Sequence, residues 1–365
     1  MNAAAITYDG THKYLRITDI DEASRSFMPS PLSSPSGEIS EDYRLKPGDI
    51  VFTRTGASVG KSYLYKQNDG NLYFAGFLIK FHIDKADPNF IFATTLLDAY
   101  RDFVAINSIR SGQPGLNADE LSCYEFFAPA PKEQTKIANF LTAVDTKISQ
   151  LTKKHGLLTL YKKGVMQKIF NQELRFKDDD GREFAEWVAV ELQTICEINP
   201  KTGLLPETFV YIDLESVEKG ILLKQTVISK NDAPSRAQRV LKKEDVLFQM
   251  VRPYQGNNLF FNKTGDFVAS TGYAQIRALE DPRFLYQYLH LESFTAEVMN
   301  RCTGTSYPAI NSGDLGSIEI SLPSQPEQTK IANFLTAIDD KITNVKSQLE
   351  AAKEYKQGLL QQMFV

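Results

Sequence analysis

The stretch EQTKIANFLTA occupies residues 133–143, and the same letters return at residues 327–337. The match continues downstream, because YKKG at residues 161–164 returns as YKQG at residues 355–358, again 194 residues later. A repeat of this length is far longer than the period of a solenoid and indicates a duplicated domain. The chain therefore consists of two related halves, and each half ends in a copy of the same segment.

The repeated stretches introduce two long helices of the coiled-coil type. Apolar residues recur at steps of three and four from Ile137 to Ile169, and again from Ile331 to Met363. Sustained over several heptads, this pattern predicts a coiled-coil seam. Lys162 and Lys356 fall on the seam in both copies. We expect their stems to lie along the seam and their ammonium groups to extend into solvent, without a functional role.

The remainder of each half is typical of an α+β module. Short apolar runs such as residues 50–53 and 77–83 predict strands, and residues 89–101 and 281–300 predict helices next to prolines. We expect an α+β protein with two modules separated by two long helices, which form an antiparallel coiled coil in a pseudo-twofold internal repeat. The predicted segments are a first module at 1–130, a helix at 131–171, a second module at 172–325 and a helix at 326–365.

The composition limits the class of protein. With 365 residues, of which 42% are hydrophobic and 24% charged, the chain has room for two cores and resembles an ordinary soluble protein. No apolar run approaches the roughly eighteen residues that a membrane span needs, and no signal peptide opens the chain. We therefore expect a cytoplasmic protein without a membrane partner. Its three cysteines and four histidines are scattered, so we predict no metal site.

RTGASVGKS at residues 54–62 suggests a nucleotide phosphate loop, but the spacing is wrong. Gly56 and Gly60 enclose one residue fewer than the phosphate loop requires, and the residues after Lys61 read as a strand where a helix is needed. A hairpin turn with a solvated lysine is the plainer alternative. The net charge of −4 also argues mildly against a free-standing nucleic-acid binder.

The order module, helix, module, helix resembles the specificity subunit of type I restriction–modification enzymes over nearly the whole chain. The resemblance rests on PKEQTKIANFLTAVDTKI at 131–148, PEQTKIANFLTAIDDKI at 326–342, YKKGVMQKIFNQELRFKDDDGREFAEW at 161–187 and YKQGLLQQMFV at 355–365. It implies that each module is a target-recognition domain for one half of a bipartite double-stranded DNA site. It also implies that the helices fix the spacer and dock methyltransferase subunits, which endonuclease subunits join.

The resemblance implies no catalytic centre in this chain. S-adenosylmethionine and ATP with magnesium are expected on the partner subunits, and no cofactor is expected here. The residues agree, because Asn199-Pro200 is followed by Lys201, which breaks the Asn-Pro-Pro-aromatic pattern of adenine methylation. The chain is therefore predicted to be a restriction-system subunit that recognises DNA and scaffolds the complex.

When Asp49 is aligned with Asp245, and Gly60 with Gly256, the stretch RTGASVGK corresponds to MVRPYQGN. The second copy has no lysine after its glycine, so it is not a phosphate loop. The resemblance implies a turn that faces DNA here, where arginine pairs with guanine, glutamine with adenine, and lysine with phosphate or guanine. The candidate DNA-binding residues of the two turns are Arg54, Ser58 and Lys61, and Arg252, Tyr254 and Gln255.

A second candidate loop precedes an asparagine in each half, Asn117 in QPGLN and Asn311 in YPAIN. Its composition differs between the copies, as expected if each copy reads a different half-site. The alternative is a plain connecting loop, and for the asparagines themselves we favour a role as helix caps. The candidate DNA-binding residues are Arg110 and Gln113 in the first loop, and Thr303, Ser306 and Tyr307 in the second.

The first module departs from the family pattern at its start. The second module opens with Trp187-Val188 and a strand about twenty residues before Phe209, whereas the first reaches Tyr14 almost at once from Met1. We therefore expect a shortened first module. That difference leaves a competing hypothesis open, in which the chain is a protein-interaction scaffold without DNA specificity.

Overall fold

The computed structural model describes residues 3–201 and 203–364. These residues form two compact units, and the boundaries between them lie inside the two long helices. The first unit extends to Lys153 and takes up the chain again at Lys346, and the second unit comprises Lys154–Val345. Among the described residues, no helix combines the length and the apolarity that crossing a membrane would require.

The first unit combines short strands with three short helices. Its sheets are an antiparallel β5–β4–β7 sheet, an antiparallel β1–β3 pair and a parallel β2–β6 pair. These elements are β1 (Ala5–Thr7), β2 (Lys13–Leu15), β3 (Ser33–Pro35), β4 (Asp49–Thr53), β5 (Ser62–Leu64), β6 (Leu72–Phe74), β7 (Leu78–His82), α1 (Pro88–Thr94), α2 (Asp98–Asn107) and α3 (Ala118–Ser122). The long helix α4 (Pro131–Phe170) follows and continues into the second unit.

The predicted strands at 50–53 and 77–83 are confirmed as β4 and β7. The single helix predicted at 89–101 is wrong, because two helices stand there with a break at residues 95–97. The hydroxyl of Thr95 donates to the Phe92 carbonyl, and Leu97 is extended at ψ 155°. Such side-chain bonds to nearby carbonyls offer the backbone an alternative to continuing the helix.

The second unit repeats this plan and adds strands to it. Its main sheets have the strand orders β16–β15–β18–β9 and β13–β10–β17–β14. A separate two-stranded sheet pairs β8, the first strand of the unit, with β19, the last. Its elements are β8 (Val188–Glu191), α5 (Leu192–Ile195), β9 (Cys196–Ile198), β10 (Thr208–Ile212), β11 (Val217–Glu218), β12 (Ile221–Leu222), β13 (Thr226–Ser229), β14 (Ala237–Val240), β15 (Val246–Gln249), β16 (Leu259–Phe260), β17 (Phe267–Ser270), β18 (Tyr273–Ala278), α6 (Pro282–Tyr288), α7 (Glu292–Asn300), α8 (Ser312–Gly316), β19 (Glu319–Leu322) and α9 (Gln325–Met363).

The duplication is visible in the central sheets, since β16–β15–β18 has the same antiparallel order as β5–β4–β7. The helix predicted at 281–300 is interrupted at residues 289–291, at the place where the first copy is also interrupted. The copies differ at one edge of this central sheet. Among the described residues, no strand of the first unit corresponds to β8 or β9, so the second edge of β7 has no strand beside it.

The predicted antiparallel coiled coil is confirmed within each unit. In the first unit, Ile137 and Leu141 near the start of α4 share a buried cluster with Leu360 near the end of α9. In the second unit, Ile169 near the end of α4 lies in a core with Leu335 near the start of α9. The seam positions read from the sequence are buried or half-buried along both helices.

The two seam lysines do not extend into open solvent as expected. The Lys356 ammonium lies 2.7 Å from a carboxylate oxygen of Asp145 in the first unit, and the Lys162 ammonium lies 2.7 Å from Asp339 in the second. Both lysines are largely buried, with 17% and 19% of their side chains exposed. The pairs join α4 to α9 at equivalent positions of the repeat and therefore help to fix the register of the helices.

Asp245 holds the start of β15, and its removal should destabilise the second unit. Its carboxylate is 1% exposed and accepts hydrogen bonds from Arg277 Nε (2.9 Å), Gln275 Nε2 (2.7 Å) and the Lys242 amide (2.7 Å). Asp245→Asn leaves the arginine without its counter-ion, so we expect a loss of about 3 kcal/mol in the free energy of unfolding. Urea denaturation checks this value. Asp266→Asn, at an exposed position, is the control and should cost less than about 0.5 kcal/mol.

Candidate nucleic-acid interface

In the first unit the two candidate loops lie side by side. The amide of Gly56 donates to the Pro114 carbonyl at 2.9 Å, and the amide of Leu116 donates to the Arg54 carbonyl at 2.9 Å. A β-bridge between Thr55 and Gly115 closes the contact. We call residues 54–60 together with residues 108–116 the first loop pair. The fold thus brings together two segments that are separated by about fifty residues in the sequence.

The second unit joins its candidate loops with the same bonds. The amide of Arg252 donates to the Pro308 carbonyl at 2.7 Å, and the amide of Ile310 donates to the Met250 carbonyl at 3.1 Å. A β-bridge links Val251 to Ala309. Residues 250–256 with residues 303–310 are the second loop pair. These bonds place Met250 where the first unit has Arg54, and Arg252 where it has Gly56, in agreement with the sequence alignment.

Buried side chains fix the backbone of the turn in the first loop pair by hydrogen bonds and packing. The hydroxyl of Thr53 donates to the Ser58 carbonyl and accepts from the Lys61 amide at 3.0 Å. Gly60 has φ +78°, and a Cβ there would lie 2.6 Å from a methyl group of Val104, so only glycine fits. The Tyr100 hydroxyl donates to the Gly60 carbonyl at 2.8 Å, and burial raises the pKa of this phenol, which keeps its proton.

Gln249 corresponds to Thr53 and fixes the second turn in the same way. It is 2% exposed, its Nε2 donates to the Val251 carbonyl at 2.8 Å and to Gln255 Oε1 at 2.7 Å, and its Oε1 accepts from the Asn257 amide at 3.1 Å. The sequence reading missed both Thr53 and Gln249. A polar residue that ends an otherwise buried strand directly before a turn is the signal that identifies them.

The predicted side chains of the first turn differ in their surroundings. Arg54 is exposed, and within residues 3–201 and 203–364 its guanidinium makes no hydrogen bond or ion pair. Ser58 is half-buried. Lys61 is 9% exposed, and its ammonium donates to the Ile20 carbonyl at 2.9 Å and pairs with Glu22 at 3.2 Å. Lys61 therefore anchors the turn from inside the unit, unlike the solvated lysine of the plain hairpin alternative.

The two predicted side chains of the second loop in this pair, Arg110 and Gln113, are exposed, and Arg110 is self-paired. Arg110 forms a bidentate ion pair with Glu120 at 2.5 and 2.6 Å, and Gln113 is exposed. Asn117 caps α3 by accepting the Glu120 amide at 2.8 Å, and Asn311 caps α8 by accepting the Asp314 amide at 2.9 Å. The prediction that both asparagines are helix caps is confirmed.

The second loop pair presents aromatic and amide groups around one arginine. The guanidinium of Arg252 lies 4.2 Å from the centre of the Tyr307 ring, which is 66% exposed. Arg252 has φ +53°, and its buried Nε has no hydrogen-bond partner among the described residues. Gln255 is exposed and offers its amide nitrogen, because its oxygen is taken by Gln249. The other predicted side chains, Tyr254, Thr303 and Ser306, are exposed.

The geometry excludes a nucleotide phosphate loop at residues 56–61. Lys61 leads directly into β5, which confirms the strand read from the sequence, so no helix N-terminus is available for a phosphate. Among the described residues there is also no cluster of three or more His, Cys, Asp or Glu that could hold a metal ion.

Comparison with known proteins gives the family. The sequence model of one protein family, the type I restriction modification DNA specificity domain, matches this chain twice, at residues 9–158 and 185–354. The chain belongs to this family. It is 24% identical over 340 residues to the type I restriction enzyme MjaVIII specificity subunit of Methanocaldococcus jannaschii, covering 86% of this chain and 78% of the relative. It is 27% identical over 165 residues to the HindI specificity subunit of Haemophilus influenzae, covering 43% and 35%.

Solved structures agree with the fold of a specificity subunit. The type I restriction–modification S subunit from M. genitalium superposes with a TM-score of 0.65 at 17% identity, covering 99% of this chain and 90% of that one. A chain from a study of assembly and conformational transition of the type I system gives a TM-score of 0.53, again at 17% identity. The specificity subunit is the non-catalytic, DNA-recognising component of its restriction–modification system.

Proposed function

We propose that this specificity subunit reads a bipartite DNA site, one half with each loop pair. The observation that carries the proposal is the identical backbone pairing of the two loops in both units, which presents different side chains on the same support. A constant frame with variable exposed polar groups is what recognition of two different base sequences requires.

In the first loop pair, Arg54 is the principal base reader. Its guanidinium is exposed and free of intramolecular partners within the described residues, so all its donors are available for guanine. Ser58 and Gln113 supply further hydrogen bonds. Arg110 reads a base only after it exchanges Glu120 for DNA, and Lys61 supports the turn from inside the unit.

In the second loop pair, Arg252 is the principal base reader. Stacking on the Tyr307 ring restricts the guanidinium and leaves its outer edge free for a bidentate contact with guanine. Gln255 offers its amide to adenine, and Tyr254, Thr303 and Ser306 contact the backbone or base edges around it.

The helices α4 and α9 set the spacer between the half-sites and dock the partner subunits. Each helix runs without interruption from one unit into the other. Because an α-helix has a fixed rise per residue, the number of residues in the helix sets its length. The net charge of −4 supports weak DNA binding by the isolated subunit. Methyltransferase subunits supply the phosphate contacts and bind S-adenosylmethionine, and endonuclease subunits bring ATP and magnesium.

A methylation map tests the proposed function. The chain is co-expressed with its methyltransferase subunit in a host that lacks adenine methylation, and modified adenines are read across the genome. We expect a split motif with a fixed spacer. A motif with a single defined half would contradict reading by the first unit, and a stable complex without methylation would favour the scaffold hypothesis.

A further inference from the structure

In each unit a third turn is hydrogen-bonded to the loop pair. In the first unit this turn joins β6 to β7, and the Phe77 carbonyl accepts the Arg54 amide at 3.0 Å. In the second unit it joins β17 to β18, and the Gly272 carbonyl accepts the Met250 amide at 2.9 Å. Because Met250 has the place of Arg54, Phe77 and Gly272 are equivalent positions of the repeat. The third turn therefore belongs to the backbone frame that both units share.

Buried neighbours fix the backbone of the turn in the first unit. The Leu78 amide donates to the Ala75 carbonyl at 3.0 Å, and the Ala75 amide donates to the Leu15 carbonyl at 3.0 Å. Both Ala75 and Leu78 are buried. Phe77 stands between them, so its backbone is held on both sides and the two copies differ in the side chain that they present.

The side chains at this position differ strongly between the units. Phe77 is 62% exposed. At Gly272 an added Cβ would lie 3.1 Å from the side chain of Leu214, which takes up that space in the second unit. Single exposed apolar residues are common on protein surfaces. Phe77 differs from these because its backbone is bonded to Arg54, whose exposed guanidinium has no hydrogen bond or ion pair within the described residues.

We propose that Phe77 is an apolar specificity residue of the first unit, which contacts the methyl group of a thymine beside the guanine that Arg54 reads. This inference rests on the proposed function, in which Arg54 reads a base. In the major groove the thymine methyl is the apolar group that base edges present, and phenylalanine is among the side chains that contact it. An exposed ring fixed next to an arginine reader therefore matches thymine.

The chemistry of the side chain separates this role from a contact to the DNA backbone. Phosphate oxygens are bound by donors and cations, and the phenylalanine ring offers neither. The second unit has glycine at the equivalent position, so it lacks this contact. We therefore expect the thymine requirement due to this turn in one half-site, the half that the first unit reads.

The first test is a methylation map of the Phe77→Ala chain, co-expressed with its methyltransferase subunit. We expect one A·T position in one half-site to accept other bases, while the second half-site stays as in the parent. The Arg54→Ala map identifies which half the first unit reads, and the two changes should fall in the same half. Phe127→Ala removes a ring that is 93% exposed in the same unit and should leave the motif unchanged.

The second test removes the methyl group from the DNA instead of the ring from the protein. The thymine identified by the map, outside the methylated base pair, is replaced by deoxyuridine in a synthetic duplex. We expect the parent complex to methylate this duplex about three- to fivefold more slowly, because one buried methyl contact is lost. The Phe77→Ala complex should methylate the thymine and deoxyuridine duplexes equally, since its contact is already absent.

Three results would overturn the inference. These are a first half-site without an A·T pair, a Phe77→Ala map identical to that of the parent, and a deoxyuridine effect that is as large in the variant as in the parent. A parent map without a split motif would contradict the proposed function and this inference together. A split motif with an unchanged deoxyuridine rate in the parent would overturn this inference alone.

Discussion

Replacing Glu327 by glutamine is expected to lower the free energy of unfolding of the second unit by about 3 kcal/mol. The carboxylate is 0% exposed and is the shared acceptor for Arg175 and for the Trp187 indole. Glutamine keeps the shape but removes the charge, so Arg175, with 15% of its side chain exposed, loses its buried counter-ion. Urea denaturation followed by tryptophan fluorescence measures the change, and Trp187 is the single tryptophan of the chain.

The chain provides its own control for this substitution. Glu133→Gln alters the same residue in the identical motif of the first repeat, where the side chain is exposed. It should change the free energy of unfolding by less than about 0.5 kcal/mol. Equal effects of the two substitutions would show that helix-start electrostatics, which both positions share, outweigh the buried ion pair.

The duplication was predictable because the stretch EQTKIANFLTA occurs twice in the sequence. The long helices were predictable because their apolar residues recur with a helical period. The step of three and four residues from Ile137 to Ile169 reports burial directly, and the seam was confirmed. The helix breaks after Thr95 and at residues 289–291 were not predicted, since they arise from capping and from packing onto neighbouring strands. The ion pairs of the seam lysines were missed for the same reason, because their partners Asp145 and Asp339 lie on the opposite helix.

The candidate site was predictable in composition and less so in arrangement. Sequence pattern and resemblance selected the turns, but the adjacency of residues 54–60 and 108–116 depends on long-range backbone bonds. Lys61 illustrates the limit most clearly. Its spacing from Gly60 suggested an exposed cation, whereas the fold turns the side chain inward to Ile20 and Glu22.

Replacing Arg252 by alanine is expected to weaken recognition of one half-site by about 1–3 kcal/mol, roughly tenfold to a hundredfold. Arg252 is the one cation in residues 250–256 and 303–310, its guanidinium lies 4.2 Å from the centre of the Tyr307 ring, and its buried Nε has no hydrogen-bond partner among the described residues. The measurement is the methylation rate of duplexes that carry either intact half-sites or a single guanine substitution. Size-exclusion chromatography measures assembly with the methyltransferase subunit, which we expect to be unchanged.

Two further variants separate base reading from general attraction to DNA. Arg252→Lys keeps the positive charge but loses the bidentate fork, so it should restore binding if the contact is to phosphate and fail to restore recognition if the contact is to guanine. Arg54→Ala, in the first loop pair, should relax the other half-site and leave this one intact. If Arg54→Ala and Arg252→Ala weakened both half-sites equally, the two arginines would be non-specific phosphate contacts, and reading of separate halves by the two units would be wrong.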